Sequence, residues 1–462
     1  MKLLVFLSIV FLSFSAFSQE LFQDNVWPSF EYEDSKAVFT DFKTATYDIS
    51  YDIKNEEVVV SAIIYFETFE QGYPVFDLVN EPEVLLVNGH EVDSLEVETP
   101  SRETTLRVIE DLLEPGLHEL EVLVSIDTLI EFSDGNVSSA FWVTDLEDRM
   151  FLERYIPVSF EYDRASTIFN ISFTELEKEQ AVIANGKVEK IDKFNYSIEF
   201  PVHYTVNSIY FHTMPEGSFT KQGSVYESVD GRDIPVFVYT KTQERRMSTI
   251  ESNTHDTLEE LENDYGAFPH EKMIVYDADL SDWGLGGMEY AGATVTDLWA
   301  LEHELFHSYF ARAVTPYSGN AGWIDEALAS WRDNGYPSRD SLGGSADMSS
   351  HPIYTRKTDR RAYRYGANFM ARLNSYLDDN LVEVLSDWFF EQQENSFEPI
   401  TTESFVNDIE ALGGKPLGDL FEKHIYGQNM EEGFHIEGGG LGDFNGRSIH
   451  KKMDAKEMIN LL

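Results

Sequence analysis

The chain has 462 residues, 42% apolar and 14% aromatic, which is enough to bury real cores over roughly three domain lengths. It contains no cysteine, which excludes disulfides, thiolate metal sites, a cysteine nucleophile and a lipid anchor on an N-terminal cysteine, so any metal must sit on His, Asp and Glu. Asp and Glu outnumber Lys and Arg 83 to 34, and the net charge of −49 argues against nucleic acid and anionic membrane as partners.

At the N-terminus, Lys2 precedes a short apolar run from Leu3 to Phe14, then Ala16-Phe17-Ser18 and Gln19. This reads as a secretory signal over residues 1–18, too short for a comfortable span of about 20 residues. No later stretch is long and apolar enough to cross a bilayer. The mature chain is therefore expected to be soluble, with no stable membrane insertion, in the periplasm or outside the cell. The acidity itself reads as a solvated surface, and no stretch has an EF-hand calcium loop.

From about residue 45 to 215 the hydrophobic period is two. In ATYDISYDI, Tyr47, Ile49, Tyr51 and Ile53 alternate with Asp48, Ser50 and Asp52. EVVVSAIIYFE repeats the signal, as do Leu120, Val122, Val124 and Ile126 after the turn Glu114-Pro115-Gly116. Beyond Gly217 to Gly231 the pattern changes. A strand IPVFVYT leads into a helical period through Met247, Ile250, Leu258, Leu261 and Tyr265, closed by Gly266 and Pro269, and the strand-like MIVYD follows. From about 364 the helical period dominates: Ala367, Met370, Leu373, Leu377; Leu381, Val384, Leu385, Trp388; Phe405, Ile409, Leu412. The expected class is α+β and multidomain. A saddle- or sandwich-like β-sheet domain over 19–222 precedes a mostly helical domain over 223–430, and a Gly-rich, then charged tail covers 431–462.

The chemistry concentrates in GGMEYAGATVTDLWALEHELFH, residues 286–307. On a helix, His303 and His307 share a face and both imidazoles reach one ion, while Leu298, Leu301 and Leu305 form a separate stripe for the core. Glu304 points about 100° away, which suits a base better than a third equivalent ligand. A catalytic zinc takes three protein ligands, and Glu326 follows His307 by nineteen positions inside a second helical pattern from Trp323 through Ala327 to Trp331.

These residues resemble the aminopeptidase N family of gluzincin zinc metallopeptidases, whose signature is His-Glu-x-x-His, eighteen residues, then Glu. The family's Gly-x-Met-Glu-Asn is matched by Gly286-Gly287-Met288-Glu289-Tyr290, its Trp-Leu-Asn-Glu-Gly-Phe-Ala by residues 323–329, and its Tyr-Glu-Lys-Gly-Ala by Tyr363-Arg364-Tyr365-Gly366-Ala367. The resemblance runs from the β region to about residue 427. It implies a thermolysin-like catalytic domain with one zinc ion on His303, His307 and Glu326. It implies Glu304 as the base that activates water and passes the proton on, and Tyr363 as donor to the oxyanion, with His351 as an alternative. Glu289 is implied to bind the α-amino group of a peptide with a free N-terminus, while Gly286, Gly287 and Met288 lie along the substrate backbone. A second amine anchor from the β domain is expected at Glu147, with Glu153 close by.

The chain departs from the pattern at Tyr290, at Asp325, and at Ala311-Arg312, which stands where Gly-Asn is common and is expected to reshape the pocket wall. The large helical C-terminal domain of many relatives is expected to be lacking, which implies a more open cleft. The expected function is a zinc aminopeptidase. Alternatives are a glycyl-aminopeptidase-type gluzincin, a thermolysin-like endopeptidase, or an inactive peptidase-like binding protein.

Overall fold

The computed structural model describes residues 27–97, 105–144, 151–242, 244–280, 286–316, 318–342, 345–350, 358–394, 399–427 and 458–459. The expected leader, Glu147, His351 and all of the tail except Met458 and Ile459 lie outside them.

The two-residue alternation builds the first half. Asp41–Asp52 pairs antiparallel with Glu57–Thr68, which pairs with Gly116–Ile126, and Asp41–Asp52 also runs parallel to Ser166–Thr174. Tyr47, Ile49, Val58, Val60, Leu120, Val122, Phe169 and Ile171 are buried in one core, while Asp48 and Ser50 face solvent. These strands are the middle of an eight-stranded sheet; a four-stranded and a small five-stranded sheet accompany it.

A further five-stranded sheet has the order Thr220–Glu227, Asp233–Thr240, Met273–Asp277, Ala293–Thr296, Gly287–Tyr290. Its three inner strands are parallel, and the two outer ones are antiparallel to their neighbours. The strand Thr220–Glu227 straddles residue 222 and pairs with Asp233–Thr240, so this sheet starts inside the expected β domain.

Against the sheet pack α1 (Met247–Tyr265) and α2 (Leu301–Phe306), and on these helices and one another pack α3 (Trp323–Asp333), α4 (Ala367–Tyr376), α5 (Leu381–Glu394), α6 (Thr402–Gly413) and α7 (Gly418–His424). The periodic residues face inward: Met247, Ile250, Leu258, Leu261 and Tyr265 of α1 share one core with Leu301 and Leu305 of α2 and Trp388 of α5. Caps end the helices where the sequence changes. Gly266, at φ 87°, donates its N–H to the Glu262 carbonyl after α1. Thr401 and Ser404 form a capping box ahead of α6, and Gly414, in the left-handed region, closes it.

The structure corrects the expectation that Leu298 lies on the motif helix. α2 covers only Leu301–Phe306; Leu298 lies in the turn before it and His307 is its C-cap. The apolar residues Tyr309, Phe310 and Ala313 continue the pattern in sequence, but they pack into the core from turns, and the Arg312 N–H bonds back to the His307 carbonyl oxygen at 3.0 Å. Tertiary burial overrides the helical period here.

The two halves meet along the edge strand Gly287–Tyr290. Met288 and Tyr290 are buried in the N-terminal core, and Asn185 Nδ2 donates to the Ala291 carbonyl oxygen at 2.8 Å. Met458 and Ile459 are also buried in that core, and Lys241 Nζ donates to the Ile459 carbonyl oxygen, so the tail supplies a packed element there. Among the described residues no helix is long and apolar enough to cross a membrane.

Trp323 anchors the helical half. Its ring is edge-on to Phe369, Phe405 and Phe421, and its Nε1 donates to Thr402 Oγ1 at 3.0 Å. Trp323→Ala is expected to cost about 3–5 kcal/mol of unfolding free energy in denaturant titrations. A loss below about 1 kcal/mol would contradict this packing role.

Candidate metal centre

α2 and α3 bring three ligand atoms together. His303 Nε2 lies 3.1 Å from His307 Nε2 and 3.2 Å from Glu326 Oε2, and His307 Nε2 lies 3.6 Å from the same oxygen. His303 sits in the middle of α2. His307, at φ −62° and ψ −15°, keeps the helical direction one turn on, so both rings face α3. Among the described residues this is the one group of three or more His, Cys, Asp or Glu gathered closely enough to hold a metal ion.

The outer atoms of the rings are fixed as well. His303 Nδ1 hydrogen-bonds Asp333 Oδ2 at 2.6 Å, so this imidazole spans two carboxylates set two turns apart on α3. His307 Nδ1 faces the Phe310 carbonyl oxygen. Tyr363 Oη donates to Glu326 Oε1 at 2.6 Å, leaving Oε2 toward the histidines, and its ring stacks on His303 at 14°. Tyr363 lies on a π-helical turn, Ala362–Gly366, that enters α4. A Cβ at Gly366 would sit 2.6 Å from Ala327 Cβ, so glycine is what lets this turn press against α3 and carry Tyr363 to the centre.

Glu304 points out of the triangle and packs against the edge strand. A Cβ at Gly287 would lie 2.6–2.7 Å from the Glu304 Cγ, Cδ and Oε1 atoms. A Cβ at Gly286 would likewise meet Ala300 and Trp299 at 2.9 Å. The two glycines therefore make room for the protein's own side chains. Glu289, on the same strand, is buried and ion-paired to Arg312 at 2.7 Å. Met288 is buried beside it, and the Tyr290 hydroxyl reaches the Phe141 carbonyl oxygen and the Val143 N–H, each at 3.4 Å. Of the expected β-domain anchors, Glu153 is buried, with Oε2 accepting from the Phe151 N–H at 2.9 Å.

Burial and charge shift these groups in opposite directions. Burial, then Glu289, pushes the Glu304 carboxyl up to about 8. Burial would raise Glu326, but His307 and His303 outweigh it and hold this carboxyl below the usual range. Burial would lower His307, but Glu289 and Glu326 carry it up to about 10. His303 is likewise raised, against burial, by Asp333 and Glu326. Tyr363 is raised by burial and then Glu326, so the phenol keeps its proton.

Both imidazoles thus attract positive charge, yet a 3.1 Å gap between their Nε2 atoms has room for one proton and not two. A single cation receiving both lone pairs and one carboxylate oxygen resolves this conflict. Ligand atoms about 2.0–2.1 Å from a tetrahedral zinc ion lie about 3.3 Å apart, which the three measured separations bracket. The donor set, two neutral nitrogens and one carboxylate with no sulfur, fits zinc.

Sequence reasoning missed Asp333 and the partner of Glu289. Asp333 follows Glu326 by seven residues, two turns along one helical face, so its spacing was a usable signal. Arg312 was noted only as a departure from a pattern.

Comparison with known proteins agrees at the level of fold. The chain is similar to an M1 zinc metallopeptidase from Deinococcus radiodurans, with a TM-score of 0.59 and 14% identity over 81% of this chain and 90% of that one. The chain has the fold of these enzymes. A mutant of a Deinococcus radiodurans M1 zinc metallopeptidase bound to a Tyr-Ser-Ala substrate gives 0.59 at 14% identity over 81% and 92% of the two chains. Legionella pneumophila aminopeptidase A in complex with aspartic acid gives 0.60 at 14% identity over 85% of this chain and 50% of that one. No family model matches the sequence, and no curated protein matches it.

Two outcomes are expected for the centre. Asp333→Ala should weaken zinc affinity by about 10- to 100-fold in competition titrations, because the His303 ring loses its orienting partner; unchanged affinity would contradict that role. Since both histidine pKa values are raised, zinc uptake at pH 7 should displace about one proton per ion, and affinity should fall as pH is lowered. Calorimetry in buffers of different ionisation enthalpy measures this, and no proton release would contradict it.

Proposed function

We propose that this chain is a zinc-dependent peptidase that hydrolyses the first peptide bond of peptide substrates. The observation that carries this reading is the convergence of His303 Nε2, His307 Nε2 and Glu326 Oε2, with the buried Glu304 carboxyl between that triangle and an edge strand. His303, His307 and Glu326 would hold the ion, which when bound supplies a Lewis acid that polarises a carbonyl and acidifies water.

The protein's own groups do the rest. Glu304, with a proton affinity tuned near neutrality, takes a proton from the attacking water and returns it to the leaving amine. Tyr363, which keeps its proton, is the donor we assign to the oxygen of the scissile carbonyl as it gains charge, its hydroxyl turning there from Glu326 Oε1. Gly286, Gly287 and Met288 border the outer edge of the five-stranded sheet, where a substrate backbone adds as a further strand. Glu289, next along that strand, faces the α-amino group of the first residue. The peptide and amino-acid complexes of the structural neighbours support this reading. By the leader read over 1–18, we place the enzyme in the periplasm or outside the cell.

The test is hydrolysis of a panel of fluorogenic aminoacyl amides with and without a chelator, by the parent protein and by Glu304→Gln. Activity should vanish with the chelator and return with zinc, and Glu304→Gln should lose at least about 10³-fold in kcat while retaining zinc. Hydrolysis undiminished in that variant would sink the mechanism. Gly287→Ala should also lower kcat with zinc retained, because its Cβ takes the space of the Glu304 side chain.

A further inference from the structure

The ring of His303 depends on Asp333, and Asp333 has two oxygens to place. Oδ2 faces His303 Nδ1 at 2.6 Å, and Oδ1 lies 3.7 Å from Arg332 Nη1. A carboxylate held at one oxygen alone can still turn, because the torsion that sets its plane is broad. A second contact at the other oxygen fixes that plane. Glu326 has the same arrangement, with Tyr363 on one oxygen and the histidines on the other.

Arg332 is itself held in place. Its side chain is only 3% exposed, a depth that a guanidinium reaches only when it is paired. Nη2 pairs with Glu260 Oε2 of α1 at 3.2 Å, and Nη1 with Glu302 Oε2 of α2 at 3.6 Å. Nη1 also donates to the Glu302 carbonyl oxygen at 3.4 Å, on the residue just before His303. One guanidinium therefore joins α1, α2 and the end of α3 on the Nδ1 side of His303. Glu302 and Asp333 each bring a carboxylate oxygen within 3.7 Å of the same nitrogen. Without the cation between them, their like charges repel, and Asp333 is pushed off the line it shares with His303.

We propose that Arg332 is a positioning residue for the metal centre that acts through Asp333: it fixes the plane of this carboxylate, and with it the direction in which His303 Nε2 points. The inference rests on the metal-centre part of the peptidase reading. Glu260, whose side chain is 52% exposed, steadies the guanidinium from α1.

The test reads zinc affinity in competition titrations on the full chain, so turnover plays no part in it. Arg332→Met keeps the apolar stem, and replacing a buried ion by an apolar side chain of similar volume is often neutral for stability. Its zinc dissociation constant should rise by at least about fivefold. Where Asp333→Ala is already present, adding Arg332→Met should change affinity by no more than about twofold, because the group through which Arg332 acts is gone. A merely structural role would lower affinity by the same factor in both backgrounds. Unchanged affinity in Arg332→Met, or losses that multiply in the double variant, overturns the proposal. If Arg332→Met fails to fold, Glu260→Ala at the surface takes its place: zinc binding should weaken by at least about twofold, and unchanged affinity overturns the proposal. A parent protein that takes up no zinc overturns the metal reading along with it, whereas a parent that binds zinc as tightly as its variants overturns this inference alone.

Discussion

The structure turns on three ligand atoms placed where a single cation would satisfy them all. Two imidazole nitrogens and a carboxylate oxygen converge to separations of 3.1, 3.2 and 3.6 Å, in a place where burial favours neutral groups. Most of what surrounds them serves to keep them there. Asp333 fixes one ring, Tyr363 fixes the carboxylate, and Gly366 lets the Tyr363 turn approach α3 closely. Trp323, at the start of α3, ties the helix that carries Glu326 to α4, α6 and α7 through aromatic contacts. A short α2 is sufficient because its position comes from packing of Leu301, Leu305 and Phe306 in the core and not from its length.

The N-terminal sheets contribute by bracing the strand that faces the centre. Among the described residues Gly287–Tyr290 pairs with one strand, Ala293–Thr296, and an edge strand alone is a loose platform. Here Tyr290 reaches backbone groups at residues 141 and 143, and Asn185 Nδ2 bonds the backbone at Ala291 as well as at Ser208. Arg312 holds the same strand from the side of α2. The position of the edge relative to Glu304 is thereby fixed by both halves of the protein.

Much of this was legible in the sequence because the physics was local. Strands with one wet face alternate, so Asp41–Asp52 and Glu57–Thr68 could be read directly, and amphipathic helices such as α1 and α6 carry both their period and their caps. The closeness of His303 and His307 was legible because two histidines four apart share a helical face. The strands Ala293–Thr296 and Gly287–Tyr290 were not legible, since almost every residue in them is buried and nothing alternates. The end of α2 could not be read, because apolar residues continue at helical spacing through Phe310 and Ala313, while the chain is bent by contacts distant in sequence. The Arg312–Glu289 pair joins residues 23 positions apart and belongs to no motif. The contacts of the two glycines also needed coordinates: a Cβ at Gly287 would meet Glu304, and one at Gly286 would meet Trp299 and Ala300.

The most direct measurement is anomalous diffraction at the zinc absorption edge from crystals of the full chain grown with zinc. The account predicts one dominant peak, about 2.0–2.2 Å from His303 Nε2, His307 Nε2 and a Glu326 carboxylate oxygen. Crystals with no ion at that position, or with zinc bound only by other residues, would contradict it.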